Sequence, residues 1–158
     1  MNSNIKIRPY QESDAQALAE IFYHTVRKVN RKDYNEEQVK AIAPKMKGQA
    51  SSWAIKWKKS PPWVAHIDKI IVGFIEFYDN GEIDCFYCHH DYIGKGVGNA
   101  LMAHIKALAV EKRISRIWAN VSITAKPFFE RQGFKVVKQQ TVTRLGVDLI
   151  NYVMEANI

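Results

Sequence analysis

Three glycines stand at alternate positions in Ile93-Gly94-Lys95-Gly96-Val97-Gly98-Asn99, between an apolar run and a long amphipathic stretch. Because glycine lacks a Cβ atom, backbone N–H groups at such a junction can face outward at the positive end of a helix dipole. This arrangement binds phosphate or pyrophosphate. The same glycines also suit a tight strand-to-helix turn without a ligand. The segment therefore predicts the turn and makes it a candidate phosphate site.

The glycine spacing does not match two common nucleotide-binding motifs. A P-loop requires G-x-x-x-x-G-K-[ST], and the turn does not contain it. A Rossmann turn requires G-x-G-x-x-G, but Asn99 stands where the third glycine is needed. Too little chain follows for a dinucleotide-binding fold, so any phosphate would belong to another class of ligand.

Apolar periodicity and turn signals predict strands and helices along the whole chain. The predicted order is strand, two helices, three strands, helix, strand, helix and two strands. The three central strands have the spacing of an antiparallel meander; they are 63–67, 70–78 and 82–88. The length of 158 residues is close to the ~100–150 typical of one domain. We therefore predict a mixed α/β fold in a single domain over residues 1–158.

Helix starts are indicated at two places near the beginning of the chain. Ser13-Asp14 can cap a first helix, whose apolar positions recur at helical spacing. Asn35 precedes a second helix that begins with two glutamates and ends at Pro44. From 45 to 59 the prediction is weaker: Trp53 and Trp57 are four apart, as on a helix face, but a glycine and two serines disfavour a helix.

The charge balance favours an anionic partner. The chain has 23 Lys and Arg against 16 Asp and Glu, a formal net charge of +7. The basic residues are dispersed, and no nucleic-acid-binding motif accompanies them. No apolar run reaches the ~18–20 residues that cross a bilayer, and no signal-peptide core is present. We expect a cytoplasmic protein with no nucleic-acid or membrane partner, and the oligomeric state stays open.

The two cysteines do not predict a redox or metal site. Cys85 and Cys88 lie in a predicted strand, where their spacing places them on opposite faces. A redox C-x-x-C normally opens a helix, and a zinc site needs a second ligand pair. His89 and His90 follow directly, but extended chain cannot bring all four to one tetrahedral ion. We expect no metal.

A second motif, Ala125-Lys126-Pro127-Phe128-Phe129-Glu130-Arg131-Gln132-Gly133-Phe134, follows the glycine turn. With Gly96 and Gly98 it resembles motifs A and B of the GNAT superfamily of N-acetyltransferases, [QR]-x-x-G-x-[GA] and A-x-x-[FL]-Y-x-x-x-G-F. The run from Ile83 to Cys88 is similar to that family's fourth strand. Ser122 to Arg131 looks particularly like the bacterial YafP-type branch. The resemblance covers essentially the whole chain.

The resemblance implies a fold, an activity and a donor. The fold is a mixed, mostly antiparallel central sheet with helices on both faces and a splayed parallel strand pair, here ending at Cys88 and Val121. The activity is transfer of an acetyl group from the cosubstrate acetyl-CoA to a primary amine of a small molecule or peptide. The pyrophosphate lies on the glycine turn and the pantetheine along the preceding strand. The implied donor-binding residues are Phe86, Tyr87, Cys88, Gly94, Lys95, Gly96, Val97, Gly98, Asn99, Ser122, Ala125, Phe128 and Phe129.

Three positions depart from the family pattern. Ile93 stands where Gln or Arg is usual, Ser122 where Asn is frequent, and Phe129 where many relatives have a tyrosine that protonates the leaving thiolate. Core packing of Phe128 and Phe129 is an equally good explanation of these two rings. The departures keep a second hypothesis open, a module that binds or senses acyl-CoA without turnover. The replacement acids Tyr10, Tyr87 and Tyr152 cannot be ranked from the sequence.

Acetyl transfer to an amine needs a base, because an amine with a pKa of ~10.4 is almost fully protonated at neutral pH. Asp84 and Glu82 are the candidate catalytic residues, and Glu76 is a further candidate. Strand alternation places Glu82 and Asp84 on the same face as Phe86. Backbone N–H groups near Phe86 to Cys88 are expected to polarise the thioester carbonyl.

The resemblance places the acceptor opposite the donor, near Asn30 to Trp57 and Thr141 to Val147. Trp53, Trp57 and Tyr34 could form an aromatic wall there, and Glu36 and Glu37 could attract a cation. Packing tryptophans and a capped helix explain the same residues equally well. The acceptor amine is not predicted further.

Overall fold

The computed structural model describes residues 4–44 and 49–158 and is built around a seven-stranded sheet. The strands are β1 (Ile5–Pro9), β2 (Trp63–Ile67), β3 (Ile70–Phe77), β4 (Glu82–Cys88), β5 (Arg116–Ser122), β6 (Lys135–Arg144) and β7 (Val147–Asn157). The helices are α1 (Ala15–Lys28), α2 (Glu36–Ile42), α3 (Gln49–Lys59), α4 (Val97–Glu111) and α5 (Lys126–Arg131). The order therefore contains three helices before the meander, not the two predicted.

The sheet has the order β1-β2-β3-β4-β5-β7-β6. Neighbouring strands run antiparallel except β4 and β5, which are parallel. These two strands pair at two positions, Glu82 with Trp118 and Ile83 with Ala119, and then separate. The mostly antiparallel sheet with a splayed parallel pair is confirmed, and the separation opens a gap in the middle of the sheet.

Helices cover both faces of the sheet, as predicted. The face covered by α4 and α5, called the α4 face below, has a core that includes Val72, Ile75, Ile83, Leu101, Ile105 and Phe129. The face covered by α1, α2 and α3, called the α1 face below, has a core that includes Leu18, Phe22, Val26, Trp57, Phe74 and Cys85. Any cavity through the gap between β4 and β5 therefore connects two separate helical layers.

A β-bulge in β4 overturns the predicted alternation of its side chains. Ile75 pairs with Phe86 and Phe77 with Ile83, so two residues of β4, Asp84 and Cys85, oppose one residue of β3. Ile83 and Phe86 consequently both pack on the α4 face. Asp84 instead turns to the α1 face, where its carboxylate meets Lys56 of α3. Glu82 also lies opposite Ile83, since successive side chains of a strand alternate. The prediction that Glu82 and Asp84 share a face with Phe86 was wrong.

The two predicted helix starts have different outcomes. Asn35 caps α2 as predicted, because its side chain accepts a hydrogen bond from the Gln38 amide at 2.8 Å. Asp14 does not cap α1: its carboxylate accepts hydrogen bonds from Arg8 at 2.7 and 2.9 Å and from the Gln11 amide at 2.8 Å. Asp14 thereby ties β1 to the start of α1. Residues 45–48, where the weak helix prediction began, lie outside the described residues.

Candidate active site

The glycine turn has the backbone that its sequence predicts. Gly94 and Gly96 have φ values of 78° and 92°, in the left-handed region that favours glycine. The first hydrogen bond into the helix runs from the Ala100 amide to the Gly96 carbonyl at 3.0 Å. The N–H groups of residues 97–99 precede that bond and have no acceptor within α4. They form a cluster of donors at the positive end of the helix.

Gly98 is required for a close approach between α4 and α5. A Cβ atom at this position would lie 3.1 Å from the Phe128 ring and 3.7 Å from the Cys88 sulfur. The absence of a side chain therefore lets the helix start lie directly beside the end of β4. This contact sets one wall of a cavity.

One continuous cavity of about 1160 Å³ passes through the gap between β4 and β5. At one end it reaches the glycine turn and the aromatic rings of α5, on the α4 face. At the other end it is lined by α1 and α3 through Phe22, Thr25, Trp53 and Lys56. The cavity therefore connects the two helical layers across the sheet.

Most of the predicted site residues line this cavity. They are Glu82, Asp84, Phe86, Tyr87, Cys88, Gly94, Gly96, Gly98, Asn99, Ser122, Ala125, Phe128 and Phe129. Two predicted donor-binding residues do not line it. The Val97 side chain is buried in the α4-face core, and the Lys95 ammonium lies 5.4 Å from the centre of the Tyr92 ring. At these two positions a side-chain contact in the cavity is not supported.

The edge of β4 that faces the gap has free backbone groups. The His89 amide bonds to Val72 of β3 at 2.8 Å, so alternation directs the backbone groups of Phe86 and Cys88 away from β3 and toward the gap. The Thr25 hydroxyl donates to the Cys88 carbonyl at 2.8 Å. The N–H groups of Phe86 and Cys88 lie on the same edge, where β5 has moved away. They can donate to an oxygen atom in the gap.

A partly buried charge network occupies the α1-face side of β4, with Glu76 as its buried member. The Lys56 ammonium donates to Glu76 at 3.0 Å, to Asp84 at 2.9 Å and to Cys85 at 3.5 Å. The Tyr78 hydroxyl donates to Glu76 at 2.9 Å and to Asp84 at 2.7 Å. The three groups Glu76, Asp84 and Cys85 are close enough together to suit a cation, and the cation between them is the Lys56 ammonium.

The network shifts the pKa values of its members. Burial alone would lower the pKa of Lys56, but Cys85, Asp84 and Glu76 together raise it well above its ordinary value. Burial and hydrogen bonds to Asp84 and Glu76 raise the pKa of Tyr78. Lys56 is therefore protonated at neutral pH, and both carboxylates of the network already have donors.

Glu82 differs from the other two carboxylates. It is half-buried and lines the cavity, and within residues 4–44 and 49–158 nothing donates a hydrogen bond to its carboxylate. Burial and the negative charge of Asp84 raise its pKa above the ordinary value. A carboxylate with a raised pKa and no donor is better suited to accept a proton than one held in an ion pair.

The aromatic residues of α5 lie both in the core and on the cavity wall. Phe129 is 4% exposed and packs at 5.9 Å from Phe86 and 5.0 Å from Phe134, measured between ring centres. Phe128 lies 5.5 Å from Phe86. Both rings also line the cavity. They therefore belong to the core and to the cavity wall at once.

The candidate replacement acids are in different surroundings. Tyr87 lines the cavity, and burial raises its pKa. Tyr10 packs at 5.8 Å from Trp57, and Tyr152 lies under the Lys126 ammonium at 5.3 Å. Neither Tyr10 nor Tyr152 is part of the cavity lining. Of the three, Tyr87 is the one whose position allows contact with a ligand.

Two buried polar atoms in the cavity wall were missed by sequence reasoning. The Thr124 hydroxyl and the Asn151 side-chain oxygen are buried and have no hydrogen-bond partner in the described part of the chain. Both residues line the cavity. A buried polar atom without a partner is costly, so we expect water or a ligand in the cavity to supply a partner for each of these two atoms. Thr124 lies within the recognised motif region, but Asn151 on β7 had no local signal.

The predicted acceptor region is found in part. Asn30, Tyr34 and Trp53 line the cavity, as do Val142 and Arg144 from the second predicted segment. Trp57 is fully buried and stacks on Trp53 at 5.0 Å, so it supports the aromatic wall from behind. Glu36 and Glu37 are not part of the lining, and Glu36 pairs with Lys40 on the surface. The proposed attraction of a cation by Glu36 and Glu37 has no support here.

Within the described residues, none of the helices combines the length and apolar character needed to span a membrane.

Comparisons with known proteins agree with this geometry. The family model described as acetyltransferase (GNAT) domain matches residues 30–156. The N-acetyltransferase YafP of Escherichia coli K12 is 40% identical over 152 residues, covering 96% of this chain and 95% of YafP. Both descriptions name acetyltransferases, which favours the enzyme over the module that only binds acyl-CoA.

Solved structures show the same fold. A GCN5-related N-acetyltransferase from Rhodopseudomonas palustris matches with a TM-score of 0.93 at 28% identity, over 100% of this chain and 98% of that one. PaiA N-acetyltransferase from Thermoplasma acidophilum, solved with coenzyme A, matches with a TM-score of 0.75 at 21% identity, over the full length of both chains. Since the GNAT domain match spans most of the sequence and a named relative is similar over nearly all of it, the chain belongs to the GNAT family and is an N-acetyltransferase.

Proposed function

We propose that residues 1–158 form one domain that transfers an acetyl group from acetyl-CoA to a primary amine of a small molecule or peptide. The amine attacks directly while both substrates are bound. The observation that carries this proposal is the continuous cavity through the gap between β4 and β5. It connects a phosphate-binding helix start on one face with the Glu82 carboxylate on the other, so donor and acceptor can enter from opposite sides.

The donor half of the cavity fits coenzyme A. The free N–H groups of residues 97–99 suit the pyrophosphate, since they combine hydrogen-bond donors with the positive end of the α4 dipole. The Thr124 hydroxyl, which has no partner among the described residues, lines the cavity where it can hydrogen-bond the pantetheine arm. The net charge of +7 adds long-range attraction for a ligand with three phosphate groups. The backbone amides, not the Ile93 side chain, provide the phosphate contacts.

The free edge of β4 can activate the thioester. The N–H groups of Phe86 and Cys88 are directed into the gap, where they can hydrogen-bond the carbonyl oxygen of the acetyl group. Such donors stabilise the negative charge that develops on this oxygen as the amine attacks. Because the sheet is already separated at this point, the donors are in place before the substrate binds.

Glu82 is the proposed general base, acting on the amine directly or through water. It lines the cavity, nothing in the described part of the chain donates a hydrogen bond to its carboxylate, and its raised pKa favours proton uptake. Asp84 has a supporting role in this proposal. Its carboxylate is held by Lys56 and Tyr78, and its negative charge helps to raise the Glu82 pKa.

Direct attack by the amine agrees with the protonation of the two cysteine thiols, which makes an acetylated cysteine intermediate unfavourable. Burial raises the pKa of the Cys88 thiol to about 12 and that of the Cys85 thiol well above its ordinary value. Neither thiol is a good nucleophile at neutral pH, because the thiolate is the reactive form. The leaving CoA thiolate needs no strong acid, since its own thiol has a pKa of ~8.5. Phe129 is therefore compatible with turnover, and water can supply the proton.

The test is release of free CoA thiol from acetyl-CoA in the presence of a panel of primary amines, with the acetylated amine identified by mass spectrometry. We expect thiol release that depends on the amine and gives one acetylated product per thiol. Thiol release without any amine product, or none with any amine while acetyl-CoA still binds, would contradict the proposed function.

A further inference from the structure

The acceptor half of the cavity has opposite charges on opposite walls. The carboxylates Glu82 and Asp84 are both on β4. Four cations also line the cavity. Arg131 is on α5, on the α4 face, and the other three belong to the α1-face part: Lys56 on α3, Lys32 after α1, and Arg144 at the end of β6. Ion pairs with carboxylates of the protein determine which of these cations remain available to a ligand.

Lys56 is neutralised by the protein itself, but Lys32 and Arg144 are not. The Lys56 ammonium forms ion pairs with Glu76 at 3.0 Å and Asp84 at 2.9 Å. Across residues 4–44 and 49–158, neither Lys32 nor Arg144 has a carboxylate within ion-pair distance. Arg144 makes one weak hydrogen bond, to the Thr143 carbonyl at 3.4 Å. In the α1-face part of the cavity, two positive charges therefore have no anionic partner among the described residues.

The fold brings Lys32 and Arg144 to the same end of the cavity. The Tyr34 hydroxyl donates to the Ile150 carbonyl at 2.9 Å and accepts from the Ile123 amide at 2.9 Å, which fixes the segment after Lys32 against β7. Val142 packs in the α1-face core, and alternation along β6 puts Arg144 on the same face. Both cations thus border the α1-face part of the cavity beside the β6–β7 hairpin.

The positive wall faces the residues of β4 across the cavity. Burial raises the pKa of Tyr87, and the charge of Arg144 partly opposes that rise, so Arg144 acts electrostatically on a β4 residue. The buried Asn151 side-chain oxygen is part of the cavity lining and has no partner among the described residues. It offers a neutral hydrogen-bond acceptor to an N–H group of a ligand between the two walls.

We propose that the acceptor carries an anionic group, a carboxylate or a phosphate, in addition to its amine. Arg144 and Lys32 bind the anionic group, and the amine faces Glu82 on the opposite wall. A guanidinium suits both kinds of anion, because its parallel N–H donors match their oxygen atoms. This inference rests on the proposed function, since it assigns the substrate class of the same site.

Binding to the CoA-saturated enzyme, measured by calorimetry, tests the proposal without requiring turnover. One arm compares the L-amino acids with their neutral-carboxyl amides. The other arm compares O-phosphoethanolamine with ethanolamine. We expect at least one charged amine to bind about tenfold or more tightly than its matched amide or amine, and the arm in which this occurs distinguishes carboxylate from phosphate.

Three variants assign the preference to the cations. Arg144→Gln and Lys32→Gln should each reduce binding of the charged amine about tenfold while changing binding of the neutral partner less than about twofold. Arg144→Lys should retain part of the preference, because it keeps the charge but not the planar donors. Lys138→Gln is the matched control: it removes one positive charge from an exposed position of the same strand, outside the cavity lining.

Equal affinity for charged and neutral partners would overturn the proposal, as would failure of every charged amine to bind. A preference that survives in both Arg144→Gln and Lys32→Gln would also overturn it. The outcome for the proposed function is separate. If anionic amines bind preferentially but release no thiol, acetyl transfer to them is refuted while the proposed anion-binding site is supported. If neutral amines release thiol and show no lower affinity than anionic ones, acetyl transfer is supported and the anion-binding site is refuted.

Discussion

Glu82 and Asp84 are two residues apart on one strand but have different chemical surroundings. Asp84 accepts hydrogen bonds from Lys56 and Tyr78, so its negative charge is already stabilised. No such donor reaches the Glu82 carboxylate from the described residues, and burial with the Asp84 charge raises its pKa. The difference arises from their positions along β4, because Lys56 of α3 and the Tyr78 hydroxyl both reach Asp84. At the scale of single residues, Glu82 is therefore the stronger candidate for the base.

Replacing Glu82 with Gln should lower kcat by ~10²–10⁴ at neutral pH, the usual range for a positioned general base. Acetyl-CoA affinity should stay near the wild-type value, because Gln keeps the shape and no donor contact is lost. In the wild type, kcat should fall as the pH drops through the raised pKa of Glu82, since the protonated carboxyl cannot act as a base. This fall in kcat at low pH is the acidic limb of the pH profile. In Glu82→Gln the acidic limb should disappear, and kcat should instead keep rising with pH as the amine loses its own proton. Steady-state rates from pH 5 to 10 measure this.

The matched variant for this prediction is Asp84→Asn. It should lower kcat by less than about tenfold and move the acidic limb to lower pH, because the negative charge that raises the Glu82 pKa is gone. A large, pH-rescued defect in Asp84→Asn together with a normal rate in Glu82→Gln would assign the base to Asp84. Full activity of both variants would refute a carboxylate base on β4.

Gly96→Asp should weaken CoA binding by ~100-fold or more, because it places a negative charge where the pyrophosphate meets the helix start. Gly96 has a φ of 92°, a conformation that costs an L residue ~1–2 kcal/mol. Gly96→Ala is the control, since it has the same backbone strain without the charge, and it should lose only about tenfold. Calorimetric titration with CoA measures both. Equal dissociation constants for the wild type and Gly96→Asp would contradict the phosphate-binding role.

At the scale of elements, the sequence predicted correctly those features that depend on interactions between residues close together in the chain. The Asn35 cap, the turns of the meander and the glycine turn all depend on residues within a few positions, and the structure has them. The bulge in β4 depends on the register of β3, so strand alternation alone gave the wrong face for Asp84. Helix α3 depends on Trp57 and Lys56 meeting the buried Glu76 carboxylate, at 3.0 Å each. These contacts between distant segments outweigh a weak local helix propensity.

The contact between Arg8 and Asp14 links β1 to α1 and gives a prediction for stability. The Asp14 side chain is 5% exposed and pairs with Arg8 at 2.7 Å. Asp14→Ala should lower the free energy of unfolding by ~3 kcal/mol, because it leaves a partly buried guanidinium unpaired. Urea unfolding measures this, and Glu12→Ala, which removes a nearby exposed carboxylate, should change stability by less than ~0.5 kcal/mol.

This stabilisation should depend on pH in a defined direction. Burial would raise the pKa of Asp14, but the hydrogen bonds from Arg8 and Gln11 hold it below its ordinary value. The folded state therefore binds the proton less readily than the unfolded chain, and the stabilisation is complete above the ordinary carboxyl pKa. It is lost as the pH falls through the lowered value. If the difference in free energy of unfolding between the wild type and Asp14→Ala stays constant into strong acid, this assignment is contradicted.

At the scale of the whole molecule, the site exists because two strands separate in the middle of the sheet. The segments proposed to bind the donor are each continuous in sequence, so motif spacing could predict them. The proposed acceptor wall is assembled from Tyr34, Arg144 and Asn151, which belong to three separate segments. Their proximity follows from contacts such as Tyr34 with the Ile150 carbonyl, which no local pattern contains. Sequence reasoning therefore named most of the cavity-lining residues that we propose for the donor, and it named the proposed acceptor half only by region.

The account depends most on donor and acceptor meeting in the gap between β4 and β5. A crystal structure of the protein with acetyl-CoA tests this directly. We predict the pyrophosphate on the N–H groups of residues 97–99, and the acetyl carbonyl oxygen within hydrogen-bond distance of the Phe86 or Cys88 amide, with the acetyl carbon open to the side of Glu82. Acetyl-CoA bound outside this cavity, or with its acetyl group closed off from Glu82 by the sheet, would contradict the account.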